Sequence, residues 1–224
     1  MQTIHNLNSD FTQRVVLKTT QMRWQPSPSP GVWRKRLDLV GSAEDCRVTS
    51  LVRYEPGSRF PTHNHPNGEE ILVLEGVFSD EFGDYPVGSF LLNPDGFHHA
   101  PFSKEGCVIF VKLRQYEGSN RELIHLKTEQ VPWSIGSIPG VEVKPLYSHP
   151  DYPEQIRLER WQPGTVFEDH THPVGEEILV LSGVMEDESG RYQSGTWLRN
   201  PKNSHHAPFS KDGCLLYVKT GGFA

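Results

Sequence analysis

Short apolar runs of strand length recur along the chain, and turn residues separate them. Gly and Pro signals such as Pro56-Gly57 and Gly76 bound runs rich in Val, Ile, Leu and aromatic residues, which is typical of a sandwich or barrel. No segment shows a long apolar period of 3.6 residues. The pattern predicts an all-β fold, with strands within Arg14–Lys18, Thr49–Tyr54, Glu70–Leu74, Ser89–Leu92 and Cys107–Leu113.

One stretch, Leu113–Leu126, is ambiguous. Its sequence LRQYEGSNRELIHL has room for one helical turn. The polar character of its first part favours a connection between two halves, followed by the first strand of the second half.

The second half of the chain repeats the first. Residues 63–112 align with 170–219 without a gap, at an offset of 107, and 31 of 50 positions are identical. A gapless repeat of this length indicates two copies of one small domain, since solenoid repeats have periods of roughly 20–50 residues. We therefore predict two tandem barrels that arose by internal duplication, one at 1–117 and one at 118–224.

Composition excludes several classes of protein. The net charge is −6 and no basic run occurs, which argues against nucleic-acid binding. The longest apolar runs, such as ILVL at 71–74, are far shorter than a membrane span of roughly 20 residues. The polar N-terminus lacks a signal-peptide core, and three cysteines form no disulfide framework. We expect a cytoplasmic protein with no membrane partner.

The histidines concentrate in the repeat. Eight of 11 lie there, as a His-x-His pair followed by Glu-Glu and a later His-His pair in each copy. On a strand, residues i and i+2 share a face, so both imidazoles of His63 and His65 reach one point. Three imidazoles and one carboxylate suit a divalent transition metal. Spacing alone leaves two choices open in the first copy, Glu69 or Glu70 and His98 or His99, and the matching choices in the second are Glu176 or Glu177 and His205 or His206.

These residues resemble the two motifs of the cupin superfamily. The first reads G-x5-H-x-H-x3-E-x6-G from Gly57 to Gly76, and the second reads G-x5-P-x-G-x2-H from Gly88 to His99. Both recur in the second copy, with Asn203 where Gly96 stands. More narrowly, the runs PSPSPGVWRKRLD, HNHPNGEEILVLEGVFSDEFGDYPVGSF and HHAPFSKEGCVIFVKLRQ are similar to the cupin domain of ChrR-type anti-sigma factors.

The resemblance implies a bicupin of two jelly-roll barrels with one metal inside each. Zinc is the metal it favours, with iron, manganese or nickel as alternatives. Glu70 and Glu177 then become either solvated groups or groups that orient a ligating imidazole. His98 and His205 become residues that line the barrel mouth or cap a strand end. The helical domain with which ChrR proteins grip a sigma factor has no counterpart here, so we do not expect sigma binding. The implied metal ligands are His63, His65, Glu69 and His99 in the first copy, and His170, His172, Glu176 and His206 in the second.

Two arginines at matching positions offer a further hypothesis. Arg53 and Arg160 each precede a Pro-Gly turn on a predicted strand. Beside a metal cavity, either guanidinium could hold a substrate carboxylate bidentately. The simpler interpretation is a surface ion pair for each.

Three functions fit these observations. We rank a sensor or small-ligand-binding protein with a role in stress regulation first, an iron or manganese dioxygenase for a small chelating ketone second, and a scaffold stabilised by metal third. Four protein ligands would close a tetrahedral zinc site but leave two positions open on a six-coordinate metal. A homodimer is also plausible for a duplicated barrel.

Overall fold

The protein is built from β-strands. A computed structural model describes residues 6–42, 45–118 and 120–223. Within these residues, the only helical segments are two single 3-10 turns, Thr19–Gln21 and Thr128–Gln130. This confirms the all-β prediction. The ambiguous stretch after Leu113 holds no helix among its described residues, and a strand begins at Ile124.

The chain forms two compact units. The first unit takes the described residues up to Ser9 together with Arg23–Gln130, and the second takes Asp10–Met22 and everything described from Val131 onward. The strands of the first unit are β2 (Gln25–Pro26), β3 (Val32–Ser42), β4 (Asp45–Tyr54), β5 (His63–His65), β6 (Glu69–Asp80), β7 (Gly83–Pro86), β8 (Ser89–Asn93), β9 (Phe97–His99), β10 (Cys107–Leu113) and β11 (Ile124–Lys127).

The second unit repeats this series with one strand taken from near the N-terminus. Its strands are β1 (Val15–Lys18), β12 (Ser134–Ile135), β13 (Val141–Ser148), β14 (Gln155–Trp161), β15 (Thr165–Val166), β16 (His170–His172), β17 (Glu176–Asp187), β18 (Gly190–Gln193), β19 (Thr196–Asn200), β20 (Ser204–His206), β21 (Phe209–Ser210) and β22 (Cys214–Thr220).

The units do not follow the predicted boundary at residues 117 and 118. β1 pairs with β19 of the second repeat, with Lys18 opposite Thr196. β11 pairs with β8 of the first repeat, with Lys127 opposite Ser89. The first unit is therefore completed by β11, which follows its repeat copy in the sequence. The second unit is completed by β1, which precedes its repeat copy. Local patterning marked both segments as strands, but it does not specify the partner of a strand.

Each unit is a jelly-roll barrel, as the resemblance to cupins implied. The main sheet of the first unit has the order β11-β8-β6-β10-β4-β3-β2, and that of the second has the order β1-β19-β17-β22-β14-β13-β12. Alternate residues of these antiparallel strands point inward and pack the interior, for example Ile71, Val73 and Ile109 in the first unit. Ile178, Val180 and Leu216 do the same in the second.

Glycine is required where the long strands β6 and β17 bend. Gly76 lies in the left-handed region at φ +67, and a Cβ there would collide with the backbone oxygen of Gly106. Gly183, at φ +73, has the same relation to Gly213. Each glycine lies between the part of its strand that begins with Glu69 or Glu176 and pairs with β8 or β19, and the part that pairs with β7 or β18.

No helix among the described residues has the length and apolar character needed to cross a membrane.

Candidate metal centres

Three histidines of the first unit converge on one point. The ribbon of β5 and β9 places His63 opposite His99, and the alternation along β5 puts His65 on the same face as His63. The potential ligand atoms of the three imidazoles all lie within 4.8 Å of one another. Glu69, the first residue of β6, completes the group, with its Oε2 3.5 Å from Nε2 of His65 and 3.6 Å from Nε2 of His99.

The second unit repeats the arrangement. β16 and β20 place His170 opposite His206, and His172 joins them on the same face. Glu176 Oε2 lies 3.5 Å from Nε2 of His172 and 3.7 Å from Nε2 of His206. The structure thus brings together all four residues that the resemblance selected in each copy.

The donor set fits a divalent transition metal. At a bond length of about 2.1 Å, neighbouring ligand atoms stand roughly 3.0–3.5 Å apart, which is near the spacings of the nitrogen and oxygen atoms here. The Nδ1 of His63 lies 2.9 Å from the carbonyl oxygen of Pro61, and that of His170 lies 3.0 Å from that of Glu168. These bonds occupy Nδ1 and leave Nε2 free to ligate. Nε2 of His172 is buried without a hydrogen-bond partner, as an atom reserved for a metal would be.

Burial controls the charge of these groups. It lowers the pKa of His65 to about 2, helped by the charges of His99, His63 and Arg114. Burial likewise lowers the pKa of His172 to about 3. Both imidazoles therefore stay neutral, which is the form that binds a metal. Burial also raises the pKa of the Glu69 and Glu176 carboxyl groups, against the opposing charge of His99 or His206.

A buried aspartate orients the last imidazole of each set. Asp80 Oδ2 lies 3.0 Å from Nδ1 of His99, and Asp187 Oδ2 lies 3.4 Å from Nδ1 of His206. Burial opposes ionisation of Asp80, but hydrogen bonds from His99 and from the amide of Phe82 outweigh it, and its pKa is lowered. An ionised carboxylate at this place fixes the ring so that Nε2 points to the centre.

An asparagine holds the glutamate from the other side. Asn93 donates from Nδ2 to Glu69 Oε2 at 2.9 Å, and Asn200 donates to Glu176 Oε2 at 3.1 Å. Each site therefore has an aspartate behind one imidazole and an amide behind the carboxylate.

The group that links these two supports differs between the units. In the first, the linking group is His125 of β11. Its Nε2 lies 3.2 Å from Asn93 Oδ1, and its Nδ1 lies 3.5 Å from the hydroxyl of Tyr85. This hydroxyl donates to Asp80. In the second, the guanidinium of Arg14 takes this place. Arg14 donates to Asn200 Oδ1 at 2.9 Å, to Asp187 Oδ2 at 2.6 Å and to the Tyr192 hydroxyl at 2.8 Å.

The sequence did not single out these supporting residues. Asp80, Tyr85 and Asn93 are identical to their partners at the offset of 107, so their identity between the copies was the available signal. His125 and Arg14 lie outside the gapless repeat. They are not equivalent positions, because His125 lies on β11 whereas Arg14 precedes β1, where Val16 has the register position of His125. Nothing in the sequence alone connects them to the metal centres.

The second glutamate of each pair points away from the site. Glu70 accepts a hydrogen bond from the Tyr116 hydroxyl, and Glu177 accepts one from Nε1 of Trp197 at 2.8 Å. Both are buried, each 1% exposed, so neither is solvated. The role of orienting an imidazole, considered for these two residues, belongs instead to Asp80 and Asp187.

The first histidine of each His-His pair is exposed. His98 faces solvent between the inward residues of β9. His205 also faces outward, where its Nδ1 lies 3.0 Å from Asp169 Oδ1. Strand alternation therefore separates these imidazoles from His99 and His206.

Arg53 and Arg160 do not line the cavities. The guanidinium of Arg53 stacks over Trp24 at 4.9 Å. That of Arg160 pairs with Glu142 at 2.7 Å and stacks over Trp133 at 4.5 Å. Their strand neighbours, Val52 and Glu159, point inward in their place. The predicted surface ion pair is present for Arg160, whereas the contacts of Arg53 are with tryptophan rings. Neither arginine is placed to hold a substrate in the cavity, because each lies on the outward side of its strand.

A cavity opens above each centre, and the two differ in size. The cavity of the second unit measures about 830 Å³ and has His170, His172, Glu176 and His206 in its wall. Arg157 and Glu159 pair within this wall at 2.6 Å. The cavity of the first unit measures about 210 Å³ and reaches His63 and His65. Small molecules therefore have a route to both centres.

Solved structures of low sequence identity share the fold. A proposed dioxygenase from Nostoc punctiforme PCC 73102 matches with a TM-score of 0.77 and 17% identity, over 95% of this chain and 84% of that one. A bacterial pirin from Escherichia coli in complex with nickel(II) gives 0.67 and 13%, over 93% and 99%. Bacillus subtilis oxalate decarboxylase, described by its Mn(II) centres, gives 0.63 and 16%, over 92% and 78%. At these identities the likeness shows the fold alone.

Comparison with curated protein sequences gives no significant match. The profile of the family described as the ChrR cupin-like domain, in contrast, matches twice, at residues 12–117 and 121–224. The two matches cover nearly the whole chain and agree with the paired metal-site motifs of the two barrels. The protein is therefore a bicupin that belongs to the ChrR cupin-like family.

Proposed function

We propose that the protein binds one divalent transition metal in each unit and uses the metal of the second unit to hold a small ligand, in a sensing or ligand-binding role. The observation that carries this proposal is the convergence of three imidazoles and a buried carboxylate at a solvent-accessible cavity. A bound metal would supply a Lewis acid for an oxygen-bearing ligand.

The residues around the second centre suit such a ligand. Aromatic and aliphatic groups, including Trp161, Phe167 and Met185, supply apolar wall, while Arg157 and Glu159 supply polar groups. Apolar walls with a few placed polar groups are the usual composition of a small-molecule site. Four protein ligands leave two positions on a six-coordinate metal, and a ligand that chelates through two atoms fills them.

Metal content tests the first part. We expect two metals per chain by elemental analysis after purification without chelator, and one in His65→Ala or His172→Ala. The neighbouring outward-facing histidines provide matched controls, so His98→Ala and His205→Ala should keep two metals. Two metals in both inward variants would overturn the assignment of ligands.

Spectroscopy of cobalt-loaded protein tests the second part. Adding acetylacetone, a small chelating diketone, should change the visible absorption of Co²⁺ in the wild-type protein and in His65→Ala. The change should vanish in His172→Ala. An unaltered spectrum in the wild-type protein would show that no small ligand of this class reaches the metal.

A dioxygenase is the second candidate. The volume of the larger cavity favours it, because about 830 Å³ holds a small ketone with room to spare. The proposed dioxygenase from Nostoc punctiforme shares the fold. A chelating substrate and O₂ together need three metal positions, however, and Glu176 leaves two. Iron-loaded protein tested for O₂ uptake with acetylacetone decides the ranking, and turnover of about 1 s⁻¹ or more would place catalysis first.

The identity of the metal and the oligomeric state are further parts of the proposal. The related folds include proteins with nickel(II) and with Mn(II), so iron, manganese and nickel stand beside zinc as metals to test. A homodimer without nucleic-acid or sigma-factor partners remains our expectation, and light scattering of the purified protein would test the dimer.

A further inference from the structure

Three guanidinium groups line the small cavity of the first unit. Arg34 and Arg36 are alternate residues of β3 and share the face of Val32, which packs into the barrel core. Arg114 follows the last residue of β10. The described residues of this wall include no carboxylate. Three positive charges therefore line the same cavity as His63 and His65.

The second unit has no counterpart to these charges. In the strand register, Arg34 is opposite Val52 and Arg36 is opposite Ser50. At the equivalent places of the second unit, Val143 is opposite Glu159 and Pro145 is opposite Arg157. Val143 and Pro145 are therefore the equivalents of Arg34 and Arg36. Gly221 is equivalent to Arg114 at the offset of 107. The wall of the second cavity instead combines Arg157 with the acidic residues Glu159, Glu168 and Asp169. The cationic wall thus belongs to the first copy alone.

Arg114 also has a backbone conformation that favours glycine. Arg114 adopts φ +58, in the left-handed region that disfavours a residue with a Cβ. Its equivalent Gly221 adopts φ +76, where glycine is unstrained. The amide of Arg114 donates to the carbonyl oxygen of Gly68 at 3.0 Å, which fixes the backbone in this conformation. The first copy therefore has an arginine at a position where the second copy has glycine and where glycine is the unstrained residue. Backbone strain of this kind concentrates at functional sites.

The position of Arg114 relative to the centre supports a ligand beside the metal residues. Arg114 lines the same cavity wall as His63 and His65. An anion in this cavity would meet the guanidinium groups of its wall. Guanidinium groups bind carboxylates through two parallel hydrogen bonds.

We propose that the cavity of the first unit is a binding site for a small dicarboxylate, held by Arg34, Arg36 and Arg114. The volume of about 210 Å³ corresponds to roughly seven waters, which suits an anion of malonate size. The arginines come from two separate elements, so a ligand with two acidic groups meets them better than a single compact anion. The site goes beyond the proposed ligand of the second unit and does not require that one to exist.

Malonate binding to the full-length protein tests the proposal. Calorimetry at low salt, on protein stripped of metal and on metal-loaded protein, should detect malonate and should not detect malonamide, its uncharged analogue. Arg114→Gly introduces the residue of the other repeat, so it should keep or raise the melting temperature while weakening malonate binding at least tenfold. Arg36→Gln should weaken it as well.

Two controls separate the site from general charge effects. Arg160→Gln removes an outer-face arginine and should leave malonate affinity unchanged. His172→Ala removes a ligand of the second centre and should also leave it unchanged, so failure of the metal proposal there would not be confused with failure here. Equal binding of malonate and malonamide, unchanged affinity in Arg114→Gly, or tighter binding of inorganic phosphate than of malonate would each overturn the proposed ligand class.

Discussion

Asp80 and Asp187 have the same position behind a metal-site histidine but different neighbours. Both accept the Nδ1 hydrogen of the imidazole and the hydroxyl hydrogen of a tyrosine. Asp187 also pairs with an arginine, at 2.6 Å from Arg14, and no described arginine pairs with Asp80. The side chain of Asp187 is fully buried, whereas that of Arg14 is 28% exposed. The aspartate of the second unit is therefore part of a structural ion pair as well as a support for the imidazole.

Replacing each aspartate by asparagine should separate these two functions. Asp80→Asn and Asp187→Asn should each weaken metal binding roughly 10–100-fold at the altered site, since the imidazole loses its anionic partner. Asp187→Asn should lower the melting temperature more than Asp80→Asn, because it leaves Arg14 without its carboxylate. Competition with a chelator measures the first effect and calorimetry the second. Equal metal affinity of the variants and the wild type would refute the supporting role.

His125 and Arg14 predict a difference in pH dependence between the units. Partial burial lowers the pKa of His125 from 6.5, so folded protein resists its protonation more than unfolded protein does. A lowered histidine pKa contributes stability that is present above the unfolded value and lost as the pH falls through it. The guanidinium of Arg14 does not titrate in this range.

In metal-free protein, the melting temperature of His125→Gln should therefore rise relative to that of the wild type as the pH is lowered from 8 to 5.5. The difference in melting temperature between Arg14→Gln and the wild type should stay flat over the same range. Thermal melts of both variants at several pH values provide the comparison. A difference in melting temperature that does not change with pH would show that the pKa of His125 is the same in the folded and unfolded states.

Residue types, spacing and the family resemblance together selected the residues that converge in each unit, but none of them selected the residues that support these. The two-residue period of a strand places both imidazoles of His-x-His on one face, so a local pattern carries the prediction. One supporting carboxylate among 28 acidic residues has no such pattern. Asp80 comes 11 residues after Glu69, at the far end of β6, and only the folded barrel brings it behind His99.

At the scale of elements, the bends of β6 and β17 depend on single glycines. The close approach of Gly76 to the backbone of Gly106 allows no side chain, and Gly183 repeats this. Gly57 provides a contrast, since it has a similar φ of +77 but no atom within 4 Å of the place that a Cβ would occupy. Its requirement for glycine is conformational and not steric.

Alanine at these positions should measure that contrast. Gly76→Ala should cost about 2 kcal/mol or more in the free energy of unfolding, because strain and a backbone collision act together. Gly57→Ala should cost only about 1 kcal/mol. Urea unfolding of the two variants checks the ordering. A loss for Gly76→Ala no larger than that for Gly57→Ala would mean that the bend relaxes around the new methyl group.

At the scale of the whole molecule, the strands β1 and β11 decide which residues form a folding unit. β11 belongs with the first repeat by its pairing to β8, although it lies beyond residue 117. The duplication itself was visible because sequence identity survives along 50 aligned positions. The exchange of strands was not visible, since the apolar pattern of Arg14–Lys18 predicts a strand and leaves its partner open.

Two fragments that differ only in 118–130 should differ in folding. A fragment of residues 1–130 retains β11 and His125, and we expect it to bind one metal and to unfold cooperatively. A fragment of residues 1–117 leaves the edge of β8 unpaired and lacks His125, so it should bind metal more weakly and aggregate. Circular dichroism and metal analysis distinguish the two, and equal behaviour would show that β11 is dispensable.

The pairing of β1 with β19 has a consequence for synthesis on the ribosome. Val15–Lys18 leaves the exit tunnel before its partner Thr196–Asn200, which follows roughly 180 residues later. At typical elongation rates this is a wait of on the order of 10–40 s. During that time the nascent chain carries an unpaired segment, and the polar residue Lys18 and the short length of β1 help to keep it from premature association. The second candidate centre gains Arg14 only after β19 has been synthesised, so its assembly waits for a strand made long after β1.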